Sequence, residues 1–527
     1  MKLNAKRIIS AALLSSVLMT TACGSVPEEE LPVLLDFRIN DDATAVVSMI
    51  DEIAEASFET ESAVEAAYAA YYALPKSAKE QVSNYERLKT LRDEIADLYE
   101  DKTRQGERVD RSKILIGTYC FNYWDEAHVK EAAECGIDFI AAAGYNQGFM
   151  DLLLKYNIGA FVSCGYFGYP MWKGGDRPYG TTVSGPSFTV DDFAARGNLI
   201  DHEAIWGIEL VDEPHSDDMY FHGALADKLI EKHPQIQVYC NLFPNYGNET
   251  QLGNLTYEEH VQDYVDNFNL DYISYDHYMY QHSGGNGVDF NLGIENMRIV
   301  ADAARATNKD YWIVIMANSN NPDVFTSLDK LKFQANTALA FGYTVINWAC
   351  WNPGWFYNNI CDAAGNKTEQ YDKVKTVNTE INAISPIFMK YKNLDVNIIG
   401  AKKSNIKDYY AKDDNVIDQD VFTDFRMPER TRDSILCGYF EKRIGEGYAM
   451  MFVNITDPSC KVKSSVPVSF KVSVSDAIVT EHTPEGSFVL SQSAEGYYQT
   501  TVANAEYSFI TVEKAPVVVE PVAETAE

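Results

Sequence analysis

At 527 residues the chain is too long for one hydrophobic core, so it divides into two to four domains. Its composition is globular, 46% hydrophobic and 12% aromatic with 33 tyrosines. A formal net charge of -33 repels phosphate backbones and argues against nucleic acid as a partner.

Met1 to Cys23 begins with Lys2, Lys6 and Arg7, continues through an apolar run from Ile8 to Met19, and ends Thr-Thr-Ala-Cys-Gly. That pattern is an export signal, too short for a spanning helix. It resembles a bacterial lipoprotein signal, with residues 1–22 removed and Cys23 lipidated. Thr20 departs from the usual leucine, so simple cleavage is the alternative. The resemblance implies an exported chain, anchored to the cell membrane through Cys23 or extracellular.

The eight later cysteines include no CxxC pair and fall mostly in apolar runs, which predicts buried free thiols ahead of disulfides, and metal last. Residues 23–40 read as a linker and 41–105 as a three-helix module. Its helices run from Ala43, from Glu61 to Leu74, and from Ser77 with a Ser-x-x-Glu80 capping box to Leu98. The module resembles helical spacers of bacterial surface proteins, which implies that it holds the rest of the chain away from a membrane.

Between 106 and 395, apolar runs alternate with amphipathic helices eight times. The runs are ILIGTYC, IDFIAAAG, IGAFVSCG, IWGIELVDEP, IQVYCNLFP, DYISYDHY, DYWIVIMAN and YTVINWACW. The intervening helical patterns include 191–199, after the third run. Apolar strands separated by helices predict a (β/α)8 TIM barrel. An open doubly wound sheet is less favoured, because no glycine-rich phosphate loop follows the first strand. From about 400 the period becomes two, predicting a β-sandwich over 400–514. Residues 515–527 form a Pro-, Val- and Glu-rich tail expected to be disordered.

The strand ends carry the chemistry. Asp212-Glu213-Pro214 closes the fourth strand, where proline removes a ladder donor and a barrel places reactive groups. Other strand ends present Asn146, Tyr166, Trp172, Asn241, Asn245, His215, Asp276, His277, Tyr278, Asn318, Trp348 and Trp351. Carboxylates to move protons, amides to bond hydroxyls and aromatics to stack on sugar faces fit a carbohydrate site. Lysine and arginine for a phosphate site are nearly absent there. A metal site on His215 and His277 with Asp212 or Asp276 lacks the usual ligand spacing, so no metal or cofactor is expected.

With these residues in view, the chain from Ile114 to Glu513 resembles the TIM-barrel glycoside hydrolases with an acid/base glutamate ending strand four. Within that clan, the eighth-strand stretch and the β-sandwich behind it fit the β-galactosidase-like and family 42-like members. Asp212-Glu213-Pro214 resembles their Asn-Glu-Pro or Asp-Glu-Pro motif, and ALAFGYTVINWACW fits their eighth strand. The resemblance implies Glu213 as general acid/base and His277 and Tyr278 as residues that orient the sugar or the second carboxylate. It also implies Trp348 as a subsite wall.

Strand seven departs from that pattern. It reads YWIVIMANSNN, with no carboxylate between Asp310 and Asp323. Asp276 could supply the second carboxyl, Asp323 could fold back, or the barrel could bind glycan without cutting it. The first account is favoured, with Asn146, Asn241, His277, Asn318 and Trp348 holding the sugar. Glu209 shares the parity of Glu213 and so faces the interior, where an ion pair is its expected role.

Overall fold

The structure, a computed structural model, describes residues 42–72, 74–98, 105–167, 200–253, 255–281, 289–400, 421–428 and 432–514. Cys23, Trp172, the 191–199 helix and the terminal tail lie outside the described residues.

Eight parallel strands form the central barrel: β1 (Leu115–Thr118), β2 (Phe139–Ala143), β3 (Gly159–Ser163), β4 (Ile205–Asp212), β5 (Gln237–Asn241), β6 (Tyr272–Asp276), β7 (Asp310–Met316) and β8 (Val345–Ala349). Their ladders run β5-β4-β3-β2-β1-β8-β7-β6. Between β5 and β6 the ring closes through the Leu242–Tyr275 bridge, where Leu242 N–H donates to the Ser274 carbonyl at 2.8 Å. Below that bridge a phenol replaces the ladder. Tyr272 Oη accepts from Cys240 N–H at 2.9 Å and donates to the Val238 carbonyl at 2.9 Å. The Cys240 N–H and the Val238 carbonyl thereby keep partners where the ladder is interrupted.

The interior is packed in layers, as expected for an eight-stranded ring. Arg111 plugs the amino-terminal end, donating to Gln237 Oε1 at 2.7 Å and pairing with Asp271 and Asp310. Phe139, Phe161, Tyr239, Tyr272 and Trp312 fill the next level, with Tyr272 and Trp312 stacked at 3.9 Å. Polar side chains take over nearer the carboxyl ends.

Behind the barrel lie nine antiparallel strands: β9 (Tyr391–Gly400), β10 (Phe422–Arg426), β11 (Ser434–Lys442), β12 (Tyr448–Asn454), β13 (Ser465–Val472), β14 (Ala477–Thr483), β15 (Gly486–Val489), β16 (Tyr498–Ala503) and β17 (Tyr507–Lys514). They pack as a six-stranded and a three-stranded sheet. Strand alternation divides β11 between two cores. Ile435, Cys437 and Tyr439 face the sandwich interior, while Leu436 and Phe440 join the barrel core. Between them, Gly438 lets helix Leu328–Phe341 approach; a Cβ there would sit 1.9 Å from the Ala340 carbonyl oxygen. The sandwich starts earlier than its sequence boundary at 400, because β9 leads directly out of helix Glu369–Phe388. Buried Tyr391, Asn393 and Val396 alternate there with exposed Lys392 and Leu394, so polar and apolar types fall on both faces and hid the strand period.

The amino-terminal module contains helices 42–51, Glu61–Tyr72, Lys76–Lys79 and Tyr85–Leu98. The single third helix expected from Ser77 is broken before Tyr85, where Asn84 Nδ2 donates to the Val47 carbonyl and Asp51 Oδ1, each at 2.9 Å. The module is also docked. Lys390, 2% exposed at its side chain, holds Glu61 at 3.1 Å and Glu65 at 2.9 Å. Lys442 joins Glu61 to Glu513.

All eight described cysteines are free thiols. Among the described residues, no helix is long and apolar enough to cross a membrane.

Candidate active site

The fourth strand sets the site. Its register with β5 pairs Glu209 with Tyr239, then Val211 with Cys240 and Asp212 with Asn241, so Leu210 is an extra residue. Such a bulge moves the inward face from odd to even positions. Glu209 and Asp212 therefore share the interior, and the parity linking Glu209 to Glu213 does not hold. Glu213 follows at φ 51°, in the left-handed region that costs a non-glycine residue about 1 kcal/mol or more. Its N–H donates to the Asn241 carbonyl at 2.7 Å, which fixes the turn and leaves the side chain half-buried at the mouth.

Asp276 lies across from it at the end of β6, 4% exposed. Asn241 Nδ2 bridges the acids, donating to Asp276 Oδ1 at 3.1 Å and to Asp212 Oδ1 at 3.4 Å. Burial, then the negative charges of Glu213 and Asp212, push the Asp276 carboxyl well above the carboxylate range, outweighing the Asn241 bond that favours ionisation.

Tyr246, on the loop after β5, borders the same acids, and burial followed by the charge of Asp276 raises its phenol. Its hydroxyl accepts from Tyr278 N–H at 3.4 Å. Sequence reasoning passed over this residue for Asn245, whose amide instead holds the Leu292 carbonyl at 3.0 Å. Trp355, on the loop after β8, was also missed. Its ring lies between Tyr119 at 5.9 Å and Tyr278 at 6.3 Å. Its indole N–H is buried with no partner among the described residues, a donor free for a ligand or water. Asn347 on β8 is alike, inward, 2% exposed, with neither amide atom partnered among the described residues.

The remaining sequence candidates divide by direction. Tyr278 packs under Trp355 and Phe356 at the mouth, and Tyr166 is exposed on the opposite rim. Asn318 holds the Trp355 loop, donating to the Trp355 carbonyl at 2.9 Å and to Asn359 at 3.0 Å. Asn146 caps helix Gln147–Lys155, accepting from Phe149 N–H at 2.8 Å. Four residues point away from the two acids. Trp348 donates its indole N–H to Asn378 on the last barrel helix at 2.8 Å, and Trp351 packs edge-on against Tyr371 of that helix. His277 turns to Asn296 at 3.0 Å, and His215 caps helix Ser216–Lys232 by accepting from Asp217 N–H. Asp323 is exposed on its loop. Among the described residues, no three His, Cys, Asp or Glu side chains are grouped to hold a metal ion.

No protein-family model matches the sequence, and neither does any curated protein. Solved structures that resemble the chain include glycosidases. A β-galactosidase from the Antarctic haloarchaeon Halorubrum lacusprofundi aligns at 11% identity and a TM-score of 0.34, over 51% of this chain and 58% of its own. A β-galactosidase from the psychrophilic Marinomonas ef1 gives 10% and 0.33, over 51% and 60%. The chain thus spans less than two-thirds of the length of both. A GH42 β-galactosidase from G. stearothermophilus gives 8% and 0.45, over 77% and 99%. Likeness at this level leaves function to be argued from the site itself.

Proposed function

We propose that this protein is a glycoside hydrolase in which Glu213 and Asp276 form the catalytic carboxyl pair. The feature that carries the reading is the pair of acids at the carboxyl ends of β4 and β6, with Asp276 buried, bonded by the Asn241 amide, and its carboxyl raised by burial and then by the charge of Glu213. One acid and one base facing a hollow is the minimum apparatus for cleaving an acetal.

The environments assign the roles. Asp276 holds the proton and delivers it to the leaving glycosidic oxygen. Glu213, more open to solvent, is the carboxylate that attacks the anomeric carbon or activates water. This reverses the assignment that the sequence resemblance implies for Glu213. Trp355, Tyr278 and Tyr246 border the sugar, and Asp212 and Asn347 offer partners for its hydroxyls. No step calls for a cofactor. Export and anchoring through Cys23 belong to the same reading and rest on the sequence of the leader.

Leaving-group dependence tests the roles. In the Asp276→Asn variant, hydrolysis of a dinitrophenyl glycoside should persist while that of an unactivated glycoside is lost, because only the poor leaving group needs the acid. Glu213→Ala should lose both, with azide restoring turnover if Glu213 is the nucleophile. The opposite pattern returns the acid role to Glu213. Full activity in either variant removes that residue from the mechanism.

A further inference from the structure

Two cysteines meet beneath the loop that carries Trp355. Cys120 follows β1 and Cys350 follows β8, and the two strands pair with Thr118 beside Trp348. Two backbone bonds carry that pairing past the strand ends. Trp351 N–H donates to the Tyr119 carbonyl at 2.8 Å, and Asn352 N–H donates to the Cys120 carbonyl at 3.1 Å. The side chains then converge on Gly354. A Cβ on that glycine would overlap Cys120 Sγ and sit 3.4 Å from Cys350 Sγ, and the two thiols hydrogen-bond to each other. Neither is in a disulfide.

The same pair supports the Trp355 segment. Cys350 Sγ donates to the Trp355 carbonyl at 3.9 Å, the oxygen that also accepts from the Asn318 amide. Cys120 Sγ packs against Gly354, so the segment rests on both sulfurs. Their surroundings differ. Cys350 is buried, and burial followed by the Cys120 hydrogen bond pushes its thiol well above the ordinary range. It holds its proton and is not the sulfur that a reagent meets first. Cys120 is part-exposed. A part-exposed thiol in contact with a second thiol is the arrangement that thiol–disulfide exchange requires.

We propose that Cys120 and Cys350 are a redox-active dithiol at the rim of the site, which a small-molecule disulfide oxidises to an intramolecular disulfide that unseats Trp355. Cys120 gives its proton to solvent and its sulfur attacks one sulfur of the small disulfide. A mixed disulfide forms on Cys120, the original S–S bond breaks, and one small thiolate leaves and takes up a proton. Cys350 then loses its proton to the second small thiolate as its sulfur attacks Cys120 Sγ and expels it. Two protein thiols are thereby oxidised by two electrons, and one small disulfide is reduced to two thiols. Bonding draws the sulfurs to about 2 Å apart and takes the Cys350 proton from the Trp355 carbonyl, so the support under the segment changes. The effect on sugar rests on the reading of Trp355 as a sugar contact; the disulfide does not.

The test incubates the folded full chain with glutathione disulfide at neutral pH, alkylates the remaining thiols and digests without reduction. Mass spectrometry should find the Cys120 peptide joined to the Cys350 peptide, and dithiothreitol should separate them. In Cys350→Ser the exchange should stop at one glutathione on Cys120. Oxidation should raise the KM for glycan hydrolysis about threefold or more in wild type, reversibly with dithiothreitol, and not in Cys120→Ser or Cys350→Ser. Absence of the joined peptide from wild type, or either cysteine joined to a different one, overturns the proposal without recourse to a variant. A joined peptide with an unchanged KM refutes the coupling to Trp355. A joined peptide in a chain that hydrolyses nothing would uphold the dithiol and defeat the hydrolase reading.

Discussion

Replacing Lys390 with methionine should loosen the helical module from the rest of the molecule. Lys390 is the shared cation of Glu61 and Glu65, and its side chain is 2% exposed. Removing it leaves two carboxylates beside a buried apolar chain, and breaking a buried pair in this way costs about 3–5 kcal/mol. The pH dependence gives an independent estimate for Glu65. Burial opposes its ionisation, yet Lys390 and Arg92 hold its carboxyl at about 2 against an ordinary 4.5. Linkage caps the corresponding stabilisation at ~3 kcal/mol, and screening reduces it to ~1–2 kcal/mol. That discount applies because 23% of the side chain meets solvent. The folded value lies below the unfolded one. The contribution is therefore complete above pH 4.5 and disappears as pH falls through about 2. Urea unfolding of wild type, Lys390→Met, Glu65→Gln and the double variant, followed from neutral pH into acid, measures both quantities. A Lys390→Met protein within about 0.5 kcal/mol of wild type, with an unchanged acid slope, would refute the docked arrangement.

Gly438→Ala should destabilise the barrel–sandwich junction by about 2–3 kcal/mol, because helix and strand must separate to admit the methyl; a melting temperature equal to wild type contradicts the packing. The two tryptophans of the eighth βα segment should separate cleanly. Trp348→Phe, losing the bond to Asn378, should cost about 1–2 kcal/mol in unfolding experiments and leave KM unchanged. Trp355→Ala should raise KM about tenfold or more with little change in melting temperature; equal KM values in the two variants would reject Trp355 as a sugar contact. Asp212→Asn removes a charge that raises the Asp276 carboxyl, so the alkaline limb of kcat/KM should move to lower pH; a limb that stays in place removes Asp212 from that electrostatic field.

The barrel was legible because its strands are covered on both faces, which turns each into an apolar run bounded by helical periods. The same double burial conceals direction. In INWAC nothing in residue type says that Asn347 faces inward and Trp348 outward, and the register with Gly117 and Val314 decides it. Asp276 and His277 pose the same ambiguity at the end of β6. The acid pair itself could be read from Asp212-Glu213 and DYISYDHY, but the bulge at Leu210 has no signature in ELVDE and altered which acids share the interior. Trp355 and Tyr246 reach the mouth from loops, where position along the chain says little about position in space. Asn84, in the break before helix Tyr85–Leu98, is held by contacts to a segment more than thirty residues earlier, which local periodicity cannot register.

The central claim is that two acids facing each other at the barrel mouth cleave glycosidic bonds, and turnover tests it directly. Purified wild type, Glu213→Gln and Asp276→Asn should be incubated with a panel of plant and host glycans, following reducing-sugar release and, in parallel, glycan binding. The account predicts release by wild type alone on at least one glycan that all three proteins bind. Binding without release by wild type across the panel would contradict it.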